Sequence, residues 1–474
     1  MKIYLVYLVI NSPLNNIYSY GLGYISAFLK HSGFDSKIFS VQNEDMVNEL
    51  LEDIYENQPD VIGFSVTTPQ FGYLKLIVEK ISTFSKSFIV CGGPHPTFAA
   101  RQVLDVDGVD CVVRGEGEYA MVELVTALEM NLDYLSIKNC CFKSADKYIE
   151  NPIRPLIEDL DELPFPDKDI LDATDNAFGP NGVRFIFSRG CPFECTYCSN
   201  KAISQIYPNS QKYTRFRSVK KSIEEIELAV KRRPIDFITF DDDLFSLNKK
   251  WFTEFLIEYK NQFKIPFRCN LRVGTINEEM ISLLKEAGAQ YVGIGIEHGN
   301  EQFRKSVLKR NMSNKQIIET FRLLDKYKIS HIDFIMVGLP HENRKLFLDT
   351  VRLCRKVKAV GSPSIFYPYQ YTELGEECLK NNWMPEKEFY FERQEATISY
   401  PEFTKEEIQL CKNVFPALLR HRNIPLWIPL EIVNPLSNII DSLRFIRKFY
   451  WNSFLGKIRK LSAVTKNTQY VFWR

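Results

Sequence analysis

No uninterrupted apolar run in these 474 residues approaches the roughly 20 needed to span a bilayer. No secretory leader is expected either. Met1-Lys2 is followed by only eight apolar residues, Ile3 to Ile10, with no small-residue cleavage site, which predicts a first buried strand. A cytoplasmic protein is therefore expected. No sign of charge dominates: 60 Lys and Arg face 59 Asp and Glu, net +1, although the distribution is uneven. The chain is too long for one ordinary core, so two or three domains are expected. With 45% hydrophobic and 25% charged residues it is of ordinary globular composition. Cysteine is the exception to this scarcity. Eleven are present, and in a reducing compartment they are read as free thiols able to bind metal.

Three of them are spaced for it, in Cys191-Pro-Phe-Glu-Cys195-Thr-Tyr197-Cys198, after a strand-like run from Val183 to Phe187. A loop of this size can wrap three thiolates around one corner of an iron–sulfur cube, leaving one iron open to a substrate. A structural zinc site would normally be closed by a fourth ligand, and no nearby His or Cys offers one.

Strand-like and helix-like runs alternate over the first 150 residues. Strands are predicted at Ile3–Ile10, Ser36–Val41, Val61–Thr67, Phe88–Cys91 and Cys111–Val113, with helices beginning near Gly23, Asn43, Gln70 and Thr97 and after Glu118. Such units make an open, doubly wound (Rossmann-like) parallel sheet whose ligands lie beyond the carboxyl ends of the strands. Those ends carry Ser65-Val66-Thr67-Thr68, Cys91-Gly92-Gly93-Pro94-His95 and Arg114-Gly115-Glu116-Gly117-Glu118. On pattern alone a nucleotide or flavin fits them equally well. An acidic, proline-bearing stretch, "DLDELPFPD" at 159–167, reads as an extended connector. The alternation then resumes, with strands predicted at Arg184–Ser188, Phe237–Phe240, Phe267–Leu271, Tyr291–Ile296, His331–Val337 and Ser364–Tyr369. Six parallel units suggest a partial (β/α)6 barrel with functional residues at the strand ends.

The cysteine spacing, with Tyr197 before the last thiol, resembles the radical S-adenosylmethionine superfamily, and "GGPHPT" followed by "VRGEGE" is similar to the cobalamin-binding domain upstream of many such enzymes. The resemblance covers roughly residues 1 to 400. It implies a cobalamin-binding domain at 1–150, a linker at 151–182 and a radical S-adenosylmethionine barrel at 183–400; the remaining 401–474 is read from its own residues as a helical basic region. It also implies a 4Fe-4S cluster on Cys191, Cys195 and Cys198. S-adenosylmethionine contacts are implied at Tyr197, Asp241, Asp242, Arg268, Arg272, Glu297, Ile335 and Gly338. Cobalamin contacts are implied at Ser65, Thr67, Thr68, Gly92, Gly93, His95, Gly115, Glu116 and Gly117. The chain departs from the pattern where many cobalamin domains supply a cobalt-ligating His. There it reads Asn11-Ser12-Pro13-Leu14-Asn15-Asn16, so cobalt is expected without a protein imidazole. His298 also stands where relatives usually have Ser, and His341 where they have Gly.

The activity implied is methylation of an unactivated carbon in a small-molecule or lipid substrate, with a flavodoxin or ferredoxin as electron donor. Alternatives are a ring-forming or oxidative enzyme with the same cofactors, as in the anaerobic cyclases, and a non-catalytic cobalamin-binding regulator. Beyond residue 400 a helix is predicted at Lys405–Leu419. From Ser442 to Arg474 eight basic and no acidic residues are interleaved with aromatics and aliphatics. Such a segment can lie on an anionic membrane or cap a domain. Nucleic acid is not expected, because the aromatics sit with aliphatics and form no stacking platform.

Overall fold

The computed structural model describes residues 1–12, 19–144, 147–167, 181–385 and 389–443. The first sheet is built from β1 (Ile3–Leu8), α1 (Tyr20–His31), β2 (Ser36–Val41), α2 (Glu44–Asn57), β3 (Val61–Ser65), α3 (Phe71–Ser82) and β4 (Phe88–Gly92). Two short helices, α4 (Pro94–Phe98) and α5 (Ala100–Leu104), then lead to β5 (Cys111–Val113), α6 (Glu118–Glu129), β6 (Cys140–Ser144) and β7 (Lys147–Glu150). The order β2-β1-β3-β4-β5-β6-β7 is parallel as far as β5 and antiparallel for the last two strands.

Alternation along β1 shows why the sheet is doubly wound. Tyr4, Val6 and Leu8 pack with Leu50, Ile54, Leu74 and Ile77 of α2 and α3, whereas Ile3 and Leu5 pack with Leu22, Leu29 and Leu124 of α1 and α6. A strand buried on both faces must be apolar at every position, and β1 is. The helix predicted from Thr97 instead begins at Pro94, because Pro94 and Pro96 hold the φ that a first turn needs. It breaks at Ala99 before α5.

The second half runs β8 (Gly182–Phe185), β9 (Ser188–Arg189), α7 (Ser199–Gln205), β10 (Arg215–Phe216), α8 (Val219–Arg232), β11 (Phe237–Phe240), α9 (Lys249–Gln262), β12 (Phe267–Leu271), α10 (Glu278–Glu286) and β13 (Ala289–Glu297). It continues through α11 (Glu301–Ser306), α12 (Asn314–Tyr327), β14 (Ser330–Val337), α13 (Arg344–Val357), β15 (Ser364–Ile365), α14 (Glu373–Lys380) and α15 (Lys405–Arg420). Six strands pair in parallel in the order β15-β14-β13-β12-β11-β8, a curled sheet with successive strands as neighbours. The last strand stops at Ile365, short of the predicted Tyr369, because Pro368 cannot continue the ladder. Side-chain caps from Asn248, Asn277, Asn300 and Asn343 start the helices α9, α10, α11 and α13 and so place the strand ends between them. Among the described residues no helix is long and apolar enough to cross a membrane.

Candidate cluster and cofactor site

The cysteine loop leaves the antiparallel pair β9–β10 at Gly190. The positive φ of 82° there, and a Cβ that would fall 2.3 Å from the Tyr213 carbonyl oxygen, demand glycine. Three contacts pin the loop: Thr196 Oγ1 donates to Val307 O (2.7 Å), Leu374 N–H donates to Thr196 O (3.0 Å), and Cys198 N–H donates to Cys195 O (3.1 Å). Cys195 is buried, at 6% exposure, while Cys191 and Cys198 are half-buried. Burial pushes the Cys191 thiol up to about 11 and raises Cys198 as well. Among the described residues no three His, Cys, Asp or Glu converge on a single-ion site.

Two arginines flank Cys195. Arg272 Nη1 lies 3.6 Å and Arg310 Nη1 3.7 Å from its sulfur. Arg310 also donates to Tyr197 OH (3.0 Å) and Gly295 O (2.9 Å) and lies 3.5 Å from Glu297. Burial raises the Glu297 carboxyl, against the pull of Arg310, and the residue sits at a left-handed φ of 61° where β13 ends. The loop carrying Arg310 is held by Arg304, fully buried, which donates to His298 O, Met312 O and Asn314 Oδ1. Arg310 and Arg304 were not singled out in the sequence, which offers no motif for either.

The three adjacent aspartates behave differently from one another. Arg184 grips Asp241 with Nε (2.6 Å) and Nη2 (2.7 Å), and Tyr20 OH from α1 adds a third bond (2.9 Å). Asp242 is fully buried and accepts from Phe187 N–H and Ser188 Oγ, and burial pushes its carboxyl up to about 7. Asp243, whose place in the sequence suits a solvated helix cap, lies beside the thiols: Asn200 Nδ2 donates to it (3.0 Å) and sits 3.7 Å from Cys198 Sγ. The register aligns Arg268 with Arg184 through Thr239, one row below the strand ends. The Ile335 side chain packs into the core outside the sheet, whereas its neighbour Phe334, 43% exposed, lies against Gly293 on the other face. Gly338 is left-handed (φ 79°), and its N–H and that of Leu339 both donate to the buried Glu342 carboxylate (2.7 and 3.1 Å). His298 faces the other oxygen of Glu342 at 3.4 Å and accepts from Asn300 N–H, so it serves as a packing link between β13 and β14.

At the edge of the first sheet two cavities open toward the second. One, of about 320 Å³, is lined by Ser65, Gly92, Gly93, Gly115, Glu116 and Gly117 together with Tyr207, Tyr213 and Arg215 from the cysteine-loop side. A Cβ on Gly93 would fall 2.9 Å from the Val66 backbone, and one on Gly115 would meet Tyr207 OH at 2.5 Å, so both glycines let backbone and ring close on the cavity. Glu116 is not free toward it. Arg189 (2.8 Å), Arg215 (3.0 Å) and Ile157 N–H (3.0 Å) share its carboxylate, and against burial these partners hold it below the usual range. The other cavity, about 200 Å³, is lined by Thr67, Thr68, His95, Ser199, Tyr369 and Glu392 among others. His95 is buried, its Nε2 has no hydrogen-bond partner, and burial lowers it to about 4. An orphaned imidazole nitrogen and a glycine cradle beside an apolar cavity suit a large cofactor with amide and phosphate groups.

The Radical SAM superfamily matches residues 185–354 and the B12 binding domain residues 7–125. The chain is 31% identical to "Uncharacterized methyltransferase PH0819" of Pyrococcus horikoshii, over 76% of this chain and 78% of that protein. The chain belongs to the cobalamin-dependent radical S-adenosylmethionine enzymes. The cofactors of that family are a 4Fe-4S cluster, S-adenosylmethionine and cobalamin. Anaerobic magnesium-protoporphyrin IX monomethyl ester cyclase of Rubrivivax gelatinosus is 28% identical over 75% of this chain and 65% of its own length. The radical S-adenosylmethionine methyltransferase TsrM from Kitasatospora setae, solved with cobalamin and a [4Fe-4S] cluster, shares the fold at TM-score 0.63 and 17% identity, over 80% of this chain and 75% of TsrM. The parallel first sheet and the six-stranded second sheet are accordingly those of a cobalamin-binding radical S-adenosylmethionine enzyme.

Proposed function

We propose that this enzyme transfers a methyl group to an unactivated carbon of a small molecule, and that Cys191, Cys195 and Cys198 carry its cluster. The observation that carries the reading is the meeting of two features across one cleft. Ser199, next to Cys198, lines the same cavity as Thr67, Thr68 and His95, so thiol loop and cobalamin-sheet edge share one space. When bound, the cluster supplies one electron to the sulfonium of S-adenosylmethionine and the corrinoid supplies the methyl group.

The chain's own residues position and exclude. Glu297, the buried carboxylate beside Arg310 near the Cys195 thiol, would meet the methionine ammonium, whereas both oxygens of Asp241 are held by Arg184. Tyr197 and Arg272 border the same thiol, Arg268 lies one row deeper, and Gly338 with the Ile335 backbone ends the neighbouring strand. On the sheet side, Ser65, Gly92, Gly93, Gly115 and Gly117 would hold a corrinoid through their backbone, and Glu116 ties the first sheet to Arg189 and Arg215 beside that cavity. A flavodoxin- or ferredoxin-type donor would supply the electron.

A lipid substrate is favoured by one surface feature. Trp427 is 83% exposed, and with exposed Ile432, Ile439 and Leu443 it leads into the basic segment 442–474, whose residues from 444 onward lie outside the described ones. The cyclase relative supports a second reading, oxidative ring formation with the same cofactors. Incubating reconstituted enzyme with reductant, S-adenosylmethionine and candidate substrates separates them. The methyltransferase reading expects 5'-deoxyadenosine, S-adenosylhomocysteine and a substrate heavier by one methyl group. Product of unchanged carbon count would overturn it.

A further inference from the structure

Around Cys195 the charges are arranged as at neither of the other thiols. Arg272 Nη1 at 3.6 Å and Arg310 Nη1 at 3.7 Å both point N–H groups at this sulfur. Neither arginine can drift: the Arg272 guanidinium lies over the Phe193 ring at 3.8 Å, and Arg310 is tethered to Tyr197 OH and Gly295 O. Both are buried, at 7% and 6% exposure, where a charge acts through a low dielectric. Two guanidiniums set against Glu297 and one thiolate leave this corner with no net charge. Cys198 sits in the opposite field. It faces the neutral Asn200 amide at 3.7 Å, and that amide is itself bound to Asp243.

Resting on the cluster assignment proposed above, we infer that Arg310 and Arg272 are positioning residues that raise the reduction potential of the cluster through the Cys195 sulfur. Hydrogen bonds to the ligating sulfurs and local charge are the levers by which a protein moves such a potential. The two N–H groups stabilise the added electron at one corner, and they make the cluster reducible by a donor that would otherwise lie too high. In the step concerned the oxidised cluster gains one electron and the donor, a reduced flavin or iron–sulfur protein, loses one. Arg310 lies 115 residues from Cys195 and outside the cysteine motif, yet it connects Glu297 to the thiol.

The test uses the full chain, reconstituted anaerobically, with Arg310→Gln, Arg310→Lys and Arg272→Gln. Iron and sulfide content and the Mössbauer spectrum first establish that each variant holds the cluster. A reductive titration with dithionite and mediators, read by electron paramagnetic resonance, then gives the midpoint. At the potential where the wild-type cluster is half reduced, each Gln variant should hold a reduced-to-oxidised ratio about tenfold lower, which is 59 mV for one electron. The Arg310→Lys variant keeps the charge and should fall between. If one Gln variant takes up no iron, the midpoints of the other two decide. Fully loaded variants with the wild-type midpoint would overturn this inference while leaving the cluster assignment standing. A wild-type chain that takes up no cluster would overturn both.

Discussion

Asp242 illustrates how one buried side chain leaves a mark on the whole stability curve. Burial pushes its carboxyl up to about 7, and the bonds from Phe187 N–H and Ser188 Oγ only partly counter this. Between the ordinary Asp value and about pH 7 the folded chain therefore holds a proton that the unfolded chain has lost. Stability from this group consequently falls as pH rises through that window and levels off above it. Melting temperatures of wild type and Asp242→Asn should diverge in slope between pH 5 and 7 and run parallel above pH 8. Parallel curves throughout would contradict the burial argument. Gly115 makes a steric counterpart. At φ 72°, with Tyr207 OH 2.5 Å from a would-be Cβ, Gly115→Ala should cost about 1–3 kcal/mol in chemical denaturation. It should also reduce corrinoid retention, read from visible absorbance after desalting, because Tyr207 must withdraw from the cavity.

The elements owe their places to caps and long-range clamps as much as to periodicity. Arg355 on α13 donates to the carbonyls of Leu418, His421 and Ile424 and so closes the end of α15. Arg355→Met should lower stability by about 2–4 kcal/mol, measured by urea unfolding, with little change in cluster content. Both parallel sheets were legible because a strand covered on each face reads as an apolar run, as in Phe237–Phe240. The antiparallel strands β6 and β7 were harder to see, because Lys143, Lys147 and Glu150 leave the edge polar. Three thiols at fixed spacing declare themselves locally. Which of three successive aspartates faces them depends on how the chain leaves β11, and residue type carries no trace of that. Arg310 was invisible for the same reason: its place is decided by Cys195, 115 residues away, and by Gly295 on β13.

For the whole molecule, the contact between the two sheets brings the cysteine loop to the strand ends of the first. Arg189 joins Glu116 and Glu118 of the first sheet to the start of the cysteine loop, all three partly or fully buried. Arg189→Met strands the buried Glu118 carboxylate, while Glu116 keeps Arg215 and Ile157 N–H, and should cost about 3–5 kcal/mol, with cobalamin lost before the fold melts in a thermal ramp. If the apolar face at Trp427 and the basic segment act together, vesicles containing anionic lipid should pull down the full chain and not one ending at residue 443. Equal pull-down of both would remove the membrane proposal. The central claim is the cluster on the cysteine loop. Mössbauer spectroscopy of the full chain, reconstituted with 57Fe under anaerobic conditions, tests it most directly. The account predicts one 4Fe-4S cluster per chain, a spectrum altered by S-adenosylmethionine at a single iron site, and loss of both when Cys191, Cys195 and Cys198 are replaced by Ser. A chain that takes up no cluster, or Ser variants that keep it, would contradict the account.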